Sequence, residues 1–452
     1  MQSLHDEEIE LGADAALIKH IGFILGHKGA EATLPYELSC TCEALEMIYR
    51  ASPAAVSSSF HKYGVDTLSI LIHLINDEIS RRCNHKEQSM EVAMCKVEDM
   101  QQDTGSDDES ANFAMTQSTT HCGSVATTQS ISDEGGRRDG DIVLRKATKV
   151  MGHFARVGAA TQPMAYYPGL LASLINVLMT QPYSLIPAEA RLNSLWILAN
   201  LACNTENMVM MACQPNLLTI LVRLASRRVH HDDSVEIGVE VIHTQSIATR
   251  ALVNLSWAPE NRIPMSEDQA LLQVLCLLAV FRESPFKKGR TVSDMMLQSR
   301  RHSIGALRNM AAAPRRIKLE LVHFQNGMVL EILTDAALND PDGQVKERAF
   351  DTIHNLAIHD TAERMVQNPA LVLALKDAMI LSESEANKTF AQKTLLVLER
   401  SISEDMASYD TLRGLLDEVN DPNEDEKDVE CCTPMSGLSD DSDRDENATI
   451  TL

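Results

Sequence analysis

The chain has 452 residues, enough for two or three globular domains or for one elongated array. Aromatic residues make up only 4% of it while hydrophobic residues reach 44%, a balance that favours helices over sheets. The formal net charge of -24 sits in the flanks: Lys+Arg against Asp+Glu stand at 4 and 10 over residues 1–76, 6 and 13 over 77–140, 27 and 25 over 141–400, and 3 and 16 over 401–452. That distribution points to solvated acidic flanks and away from an acidic binding surface on the central part.

The 10 Cys include no C-x-x-C pair, so neither a zinc site nor a disulfide framework is expected. The start, MQSLHDEEIE, lacks an apolar h-region and predicts no secretory signal peptide. The longest apolar run, residues 270–281, is interrupted by Gln273 and is shorter than the ~20 residues of a membrane helix. The expectation is a soluble protein of a reducing compartment, cytoplasmic, nuclear or both.

Residues 15–28 and 34–50 read as two helices, the second carrying Ala44, Leu45, Met47 and Ile48 and ended by Pro53. A third apolar segment, 65–79, completes a helical N-terminal segment over residues 1–81. It looks like a degraded first repeat whose register position falls on Ile48 or Tyr49. From residue 82 to 140, Ser, Thr, Gln, Asp and Gly dominate, and the apolar surface is too small to offset the entropy of ordering, so this is an expected disordered insertion. Ser106 and Ser132 in it have the acidic downstream context of kinase sites, beside the plainer reading of acidic low complexity.

From Asp141 to Arg400 the helical period returns in copies that share a register mark: Asn200 in SLWILANLAC, Asn254 in TRALVNLSW, Asn309 in IGALRNMAA and Asn355 in FDTIHNLAI. Each mark is flanked by an apolar pair, Leu198 and Leu201, Leu252 and Leu255, Leu307 and Met310, Ile353 and Leu356. His153 holds the mark in the preceding copy and Val397 in the following one. The spacings, 47 (153 to 200), 54 (200 to 254), 55 (254 to 309), 46 (309 to 355) and 42 (355 to 397), are those of stacked helical repeats. The two longest predict longer loops at 226–245 and 281–295, emerging on one edge. After each mark a breaker opens a second apolar run: Gly169, Asn216, Gln269, Gly327 and Pro369. Such units cannot bury their apolar faces alone, so neighbours must stack. Residues 141–400 thus predict an all-α solenoid, followed by an acidic disordered tail over 401–452.

This pattern resembles the armadillo-repeat superfamily, the group that includes beta-catenin, plakophilins and importin alpha. The runs around Asn200, Asn254, Asn309 and Asn355 carry the resemblance, with the breaker and apolar run after each. It implies a superhelix whose third helices line a concave groove, and marked asparagines that hydrogen-bond the backbone of an extended peptide there. An amide suits that task because it offers an acceptor and donors together; bracing of a neighbouring helix is the alternative use. Trp196 lies four residues before Asn200, on the same helix face. The pair resembles the array by which importin alpha binds basic peptides, but the equivalent positions are Lys149, Arg250, Gly305 and Asp351. Asn200, Asn254, Asn309, Asn355, Trp196, Arg250 and His153 are therefore the candidate groove residues.

His230, His231, Asp232 and Asp233 are adjacent in a loop and cannot all face one ion. Asn254-Leu-Ser256 and Asn387-Lys-Thr389 match a glycosylation pattern that an intracellular chain does not use. Ser303, after Arg300-Arg301-His302, falls inside a predicted helix and reads as structural. No phosphate loop, dinucleotide fingerprint or nucleophile elbow is present, and the short basic patches lack the interleaved aromatics of nucleic-acid binders. The expectation is a eukaryotic, non-enzymatic scaffold or adaptor without cofactor, metal or small-molecule substrate. It would bind other proteins through extended segments. An importin-alpha-like adaptor for basic cargo is the alternative, as is a groove filled by the chain's own insertion or tail.

Overall fold

The computed structural model describes residues 68–69, 71–84, 86, 130–229, 234–282 and 290–402, and no strand occurs among them. Helix α1 (Ser130–Ala155) is followed by copies of a unit made of a short helix, a second helix and a long marked helix. The copies are α2 (Gly158–Ala165), α3 (Leu170–Met179) and α4 (Ala188–Leu201); α5 (Thr205–Ala212), α6 (Leu217–Ala225) and α7 (Val235–Trp257); then α8 (Pro259–Glu267), α9 (Gln269–Ala279) and α10 (Arg290–Ala311). The last two are α11 (Arg315–His323), α12 (Met328–Asn339) and α13 (Gly343–Leu356); then α14 (His359–Val366), α15 (Pro369–Leu381) and α16 (Glu385–Ser401). The all-α solenoid expected from the spacing is the observed architecture.

The turn from short to second helix is made in two ways. Gly169, Asn216 and Gly327 adopt left-handed backbone with φ of 81°, 65° and 101°, which Gly and Asn reach at least cost. In the other two units a side chain caps the helix: Asp268 accepts from Leu271 N at 3.1 Å and Asn368 from Leu371 N at 3.2 Å. The cap thus falls one residue before the breakers Gln269 and Pro369.

Every apolar residue flanking an asparagine mark is buried, in one core that runs from Leu68 to Ile402. Leu71 and Ile75, on the helical stretch over 71–84, belong to it, so the N-terminal apolar segment does pack on the array. Arg82, 6% exposed, fastens that stretch. It bonds Glu78 at 2.6 Å, Asp141 at 2.7 Å and the carbonyl of Leu185. Helix α1 begins at Ser130, within the stretch expected as disordered insertion. Ile48, Tyr49, Ser106, His230 to Asp233 and the tail lie outside the described residues.

The segments expected as longer loops at 226–245 and 281–295 are helical from Val235 and from Arg290 onward. Helices α7 and α10 have 23 and 22 residues, against 14 in α4 and in α13. The additions pack on each other through Ile242, Val292, Met295 and Met296, a satellite core of their own. Burial of those side chains explains why the segments are helical; their common edge is as expected. Glu240 on the α7 extension also receives Arg191 at 2.7 Å and Arg227 at 3.4 Å.

Two further polar registers recur. Nine residues before the mark, a long side chain caps the junction between second and marked helix. Arg191 donates to Ile186 O at 2.5 Å, Gln245 to Arg227 O at 2.7 Å, Arg300 to Phe281 O at 3.3 Å and Lys346 to Leu338 O at 3.1 Å. Arg300 also pairs at 2.9 Å with Asp340, whose side chain is 0% exposed. Seven residues after the mark, Asn207 donates to Leu201 O at 2.9 Å and Thr161 O at 3.1 Å, and Asn261 to Leu255 O at 2.9 Å and Met208 O at 3.0 Å. Each ties its own short helix to the marked helix and the short helix of the preceding unit. No single helix among the described residues is long and apolar enough to cross a membrane.

Asn261→Ala removes both donors from buried carbonyls and should destabilise the fold by about 1–3 kcal/mol, read as a lower urea midpoint with unchanged far-UV circular dichroism.

Candidate functional site

Marked helices form the tighter layer of the array. Each packs along its predecessor, α1 with α4, α4 with α7, α7 with α10, α10 with α13 and α13 with α16, whereas the second helices meet their neighbours more sparingly. That difference bends the stack toward the marked helices, and their outward row forms the concave face, the usual binding surface of a solenoid.

The marks do not share one environment. Asn254 donates to Ala199 O at 3.2 Å and to Cys203 Sγ at 3.0 Å. Asn309 donates to Val253 O at 3.4 Å and to Ser256 Oγ at 3.0 Å. In both, the amide N–H groups brace the preceding marked helix one residue before its own mark, and Oδ1 is left as acceptor. Asn309 is only 6% exposed. Asn355 turns to Asp351 Oδ1 of its own helix at 3.3 Å, while Asn200 and His153 are half-buried. A ladder of identical amides presenting donor and acceptor together is therefore not what these side chains form.

A second bracing row stands seven residues before the mark. Asn193 donates to Arg145 O at 3.5 Å and Arg348 to Arg301 O at 2.9 Å. The ring of His302 bonds the Ser246 backbone. All three acceptors stand eight residues before the preceding mark. Gly305 makes room for this row: a Cβ there would meet Val253 Cγ2 at 3.1 Å and Arg348 Nη1 at 3.5 Å.

The groove wall is aromatic at one point and basic along its length. Arg250 lies with its guanidinium carbon 4.9 Å from the Trp196 ring centroid, and His243 meets that ring edge-on at 6.5 Å, a stacked cation–aromatic pair. Trp196 is half-buried against the core as well. Four, seven and eight residues before the marks, α1 carries Arg145, Lys146 and Lys149, and Arg250, Arg301, Arg348 and Lys393 follow on later helices. The same positions hold two carboxylates, Glu347 and Asp351, and Asp351 is paired with Arg308 at 2.5 Å. Arg301 is paired with Asp342 at 2.7 Å, whereas Arg250 has no carboxylate partner among the described residues.

His302 registers this field. Burial first, then the charges of Arg250 and Arg348, hold its pKa down at about 3. Its Nδ1 is buried without a hydrogen-bond partner. Ser303 beside it is 0% exposed, a core residue of α10. No group of three or more His, Cys, Asp or Glu among the described residues could hold a metal ion. Sequence reading missed the bracing row, although Asn193, His302 and Arg348 align once the copies are superposed on their marks.

No family model and no curated protein matches the chain. Among solved structures, an engineered protein is similar with a TM-score of 0.52 at 16% identity, over 84% of this chain and 68% of that one. Computationally designed armadillo repeat proteins for modular peptide recognition are similar over 56% of this chain and 93% of theirs, with a TM-score of 0.42 at 21% identity. A designed armadillo repeat protein in complex with peptide (KR)4 covers 57% of this chain and 93% of its own, with a TM-score of 0.42 at 20% identity. The molecule is an α-solenoid of three-helix units whose long helices form the inner layer. Its fold is that of armadillo-type helical repeats.

His243, His302 and His354 all have pKa values depressed from 6.5, chiefly by burial. The fold keeps them neutral while the unfolded chain takes up protons below 6.5. Stability is therefore complete above pH 6.5 and is lost as pH falls from there toward the His302 value of about 3. A urea midpoint measured down that range should fall, and His302→Gln, which retains a donor, should flatten the slope by up to ~1 kcal/mol per pH unit.

Proposed function

We propose that the protein is a non-enzymatic interaction scaffold or adaptor of the cytoplasm or nucleus that takes an extended segment of a partner protein along its marked helices. The observation that carries this is the concave row itself: half-buried Trp196 stacked with Arg250, with Asn200 and Asn254 one turn further along their helices. Oδ1 of Asn254 is placed to accept from a peptide N–H, while the aromatic–guanidinium pair supplies a rigid anchor. The basic positions on α1, α7, α10, α13 and α16 disfavour Lys/Arg-rich cargo, so the nuclear-transport alternative is the weaker reading.

Peptides selected from a random display library on the full chain should bind one to one and protect α4, α7 and α10 from hydrogen exchange. Trp196→Ala with Asn200→Ala should weaken them by about tenfold or more without loss of helicity, whereas Leu373→Asp on the outer layer should not. Protection confined to the outer helices would exclude the groove.

A further inference from the structure

The last helix of the outer layer carries an apolar ridge. Two residues after the first buried position of each second helix comes an exposed one, held by Ala172, Thr219, Gln273 and Glu331 in the first four units and by Leu373 in the last. Leu373, Ile380 and Leu381 are 54%, 51% and 73% exposed. Their spacing of seven and eight residues puts all three on one face of α15, with half-buried Lys376 and Asp377 between them. Large apolar side chains grouped in water in this way mark an interaction surface.

The end of the array is finished differently. Five residues before the mark the inner units bury a residue such as Leu195, Ile304 or Phe350, and two after it one such as Ala202 or Ala311. On α16 the same positions are Gln392, exposed, and Glu399, half-buried. Polar residues there act as in the capping repeats of solenoids and disfavour the stacking of a further unit or of a second copy's end.

The chain beyond α16 supplies a match for the ridge. Ile402 is buried in the core, so the chain leaves pinned against the array. Helices α15 and α16 pack on each other across the short turn over residues 382–384 and so run antiparallel. At Ile402 the chain has therefore returned to the level at which α15 begins, close to Leu373. Residues 403–408 reach up to ~20 Å and lead into YDTLRGLLDEV, from Tyr409 to Val419. Leu412, Leu415, Leu416 and Val419 there recur at the spacing of one helix face. Ser408 stands at an N-cap position, Asp410 falls in the first turn, and Pro422 is placed to stop the helix. Such a helix would be ~16 Å long, against ~12 Å along the axis from Leu373 to Leu381. Its shortness and Gly414 make it marginal alone in water, so it needs an apolar surface to form on.

We propose that residues 409–419 of this chain dock as an amphipathic helix along α15, with Leu412, Leu415, Leu416 and Val419 on Leu373, Ile380 and Leu381. The proposal does not depend on what the concave face binds. It closes the last outer helix to water and starts the acidic run from Asn420 to Glu430 on the outer layer.

The test uses the full-length chain with Leu373→benzoylphenylalanine, irradiated and mapped by mass spectrometry. Intramolecular cross-links to residues 409–419 are expected, and their yield should fall about tenfold in Leu415→Asp/Leu416→Asp. Gln392→benzoylphenylalanine, on the end of the array, should give no such link. Hydrogen exchange supplies a second readout: amides of residues 415–419 should exchange about tenfold or more slowly in the unsubstituted chain than in Ile380→Asp/Leu381→Asp. Links from position 373 to a second, isotope-labelled copy, links to 409–419 from position 392 instead, or a yield unchanged by the paired aspartates would overturn the proposal. Equal exchange of 415–419 in the two chains would do the same.

Discussion

Consecutive marked helices are joined by side-chain N–H groups that reach the backbone carbonyls of the helix before them, and the geometry of the concave face depends on those bonds. The two rows differ by seven residues, close to two helical turns, or ~10 Å along the axis. A helical carbonyl already accepts one backbone N–H, so the bracing groups use its second lone pair. On α10, where Asn309 and His302 both reach α7, two attachment points fix the rotation of the helix as well as its distance from the neighbour. Apolar contact alone cannot do that, because the hydrophobic effect is non-directional. The core here is rich in Leu, Ala and Met, side chains that would tolerate some sliding. Asn254, Asn309 and Arg348 remove that freedom at the face where a partner would lie.

The same logic extends to the outer parts of each unit. Asn207 and Asn261 sit 0% and 2% exposed with both N–H groups bonded to carbonyls, so the donors of the buried amides are satisfied, while Oδ1 of Asn207 is buried without a partner. Arg191, Gln245, Arg300 and Lys346 close the other end of the unit. The asparagines thus tie one unit to the next, the row nine residues before the mark closes each unit on itself, and an apolar core fills the space between. Where α7 and α10 lengthen, the pairing continues past the common unit through Ile242, Val292 and Met296, and Glu240 anchors the addition to Arg191.

Most of the architecture was legible in the sequence because it is written in period and punctuation. Apolar pairs around the marks, and breakers at Gly169, Asn216 and Gly327, place the helices and their left-handed turns. Two features were not legible. The spacings of 54 and 55 residues reveal extra chain but not its state. A stretch such as SVEIGVEVIHTQ becomes helix because a matching extension lies beside it, a tertiary fact. The second is the use of the amides: an asparagine at a fixed register in a helix has the same sequence whether it meets a ligand or the next helix. Only the distances to Ala199 O and Val253 O separate the two.

That separation changes what the face can recognise. With the N–H groups of Asn254 and Asn309 committed within the fold, a segment lying there meets carbonyl oxygens at the marks and guanidinium edges between them. The oxygens accept from any peptide backbone and discriminate little. A guanidinium would discriminate more, because a carboxylate gains charge-assisted bonds on the Arg250 cation, whose plane the Trp196 ring already fixes, whereas a Lys or Arg side chain would bring like charge against it. The repeat geometry therefore sets where a segment would lie, and Arg250, stacked on Trp196, would favour a segment of opposite charge.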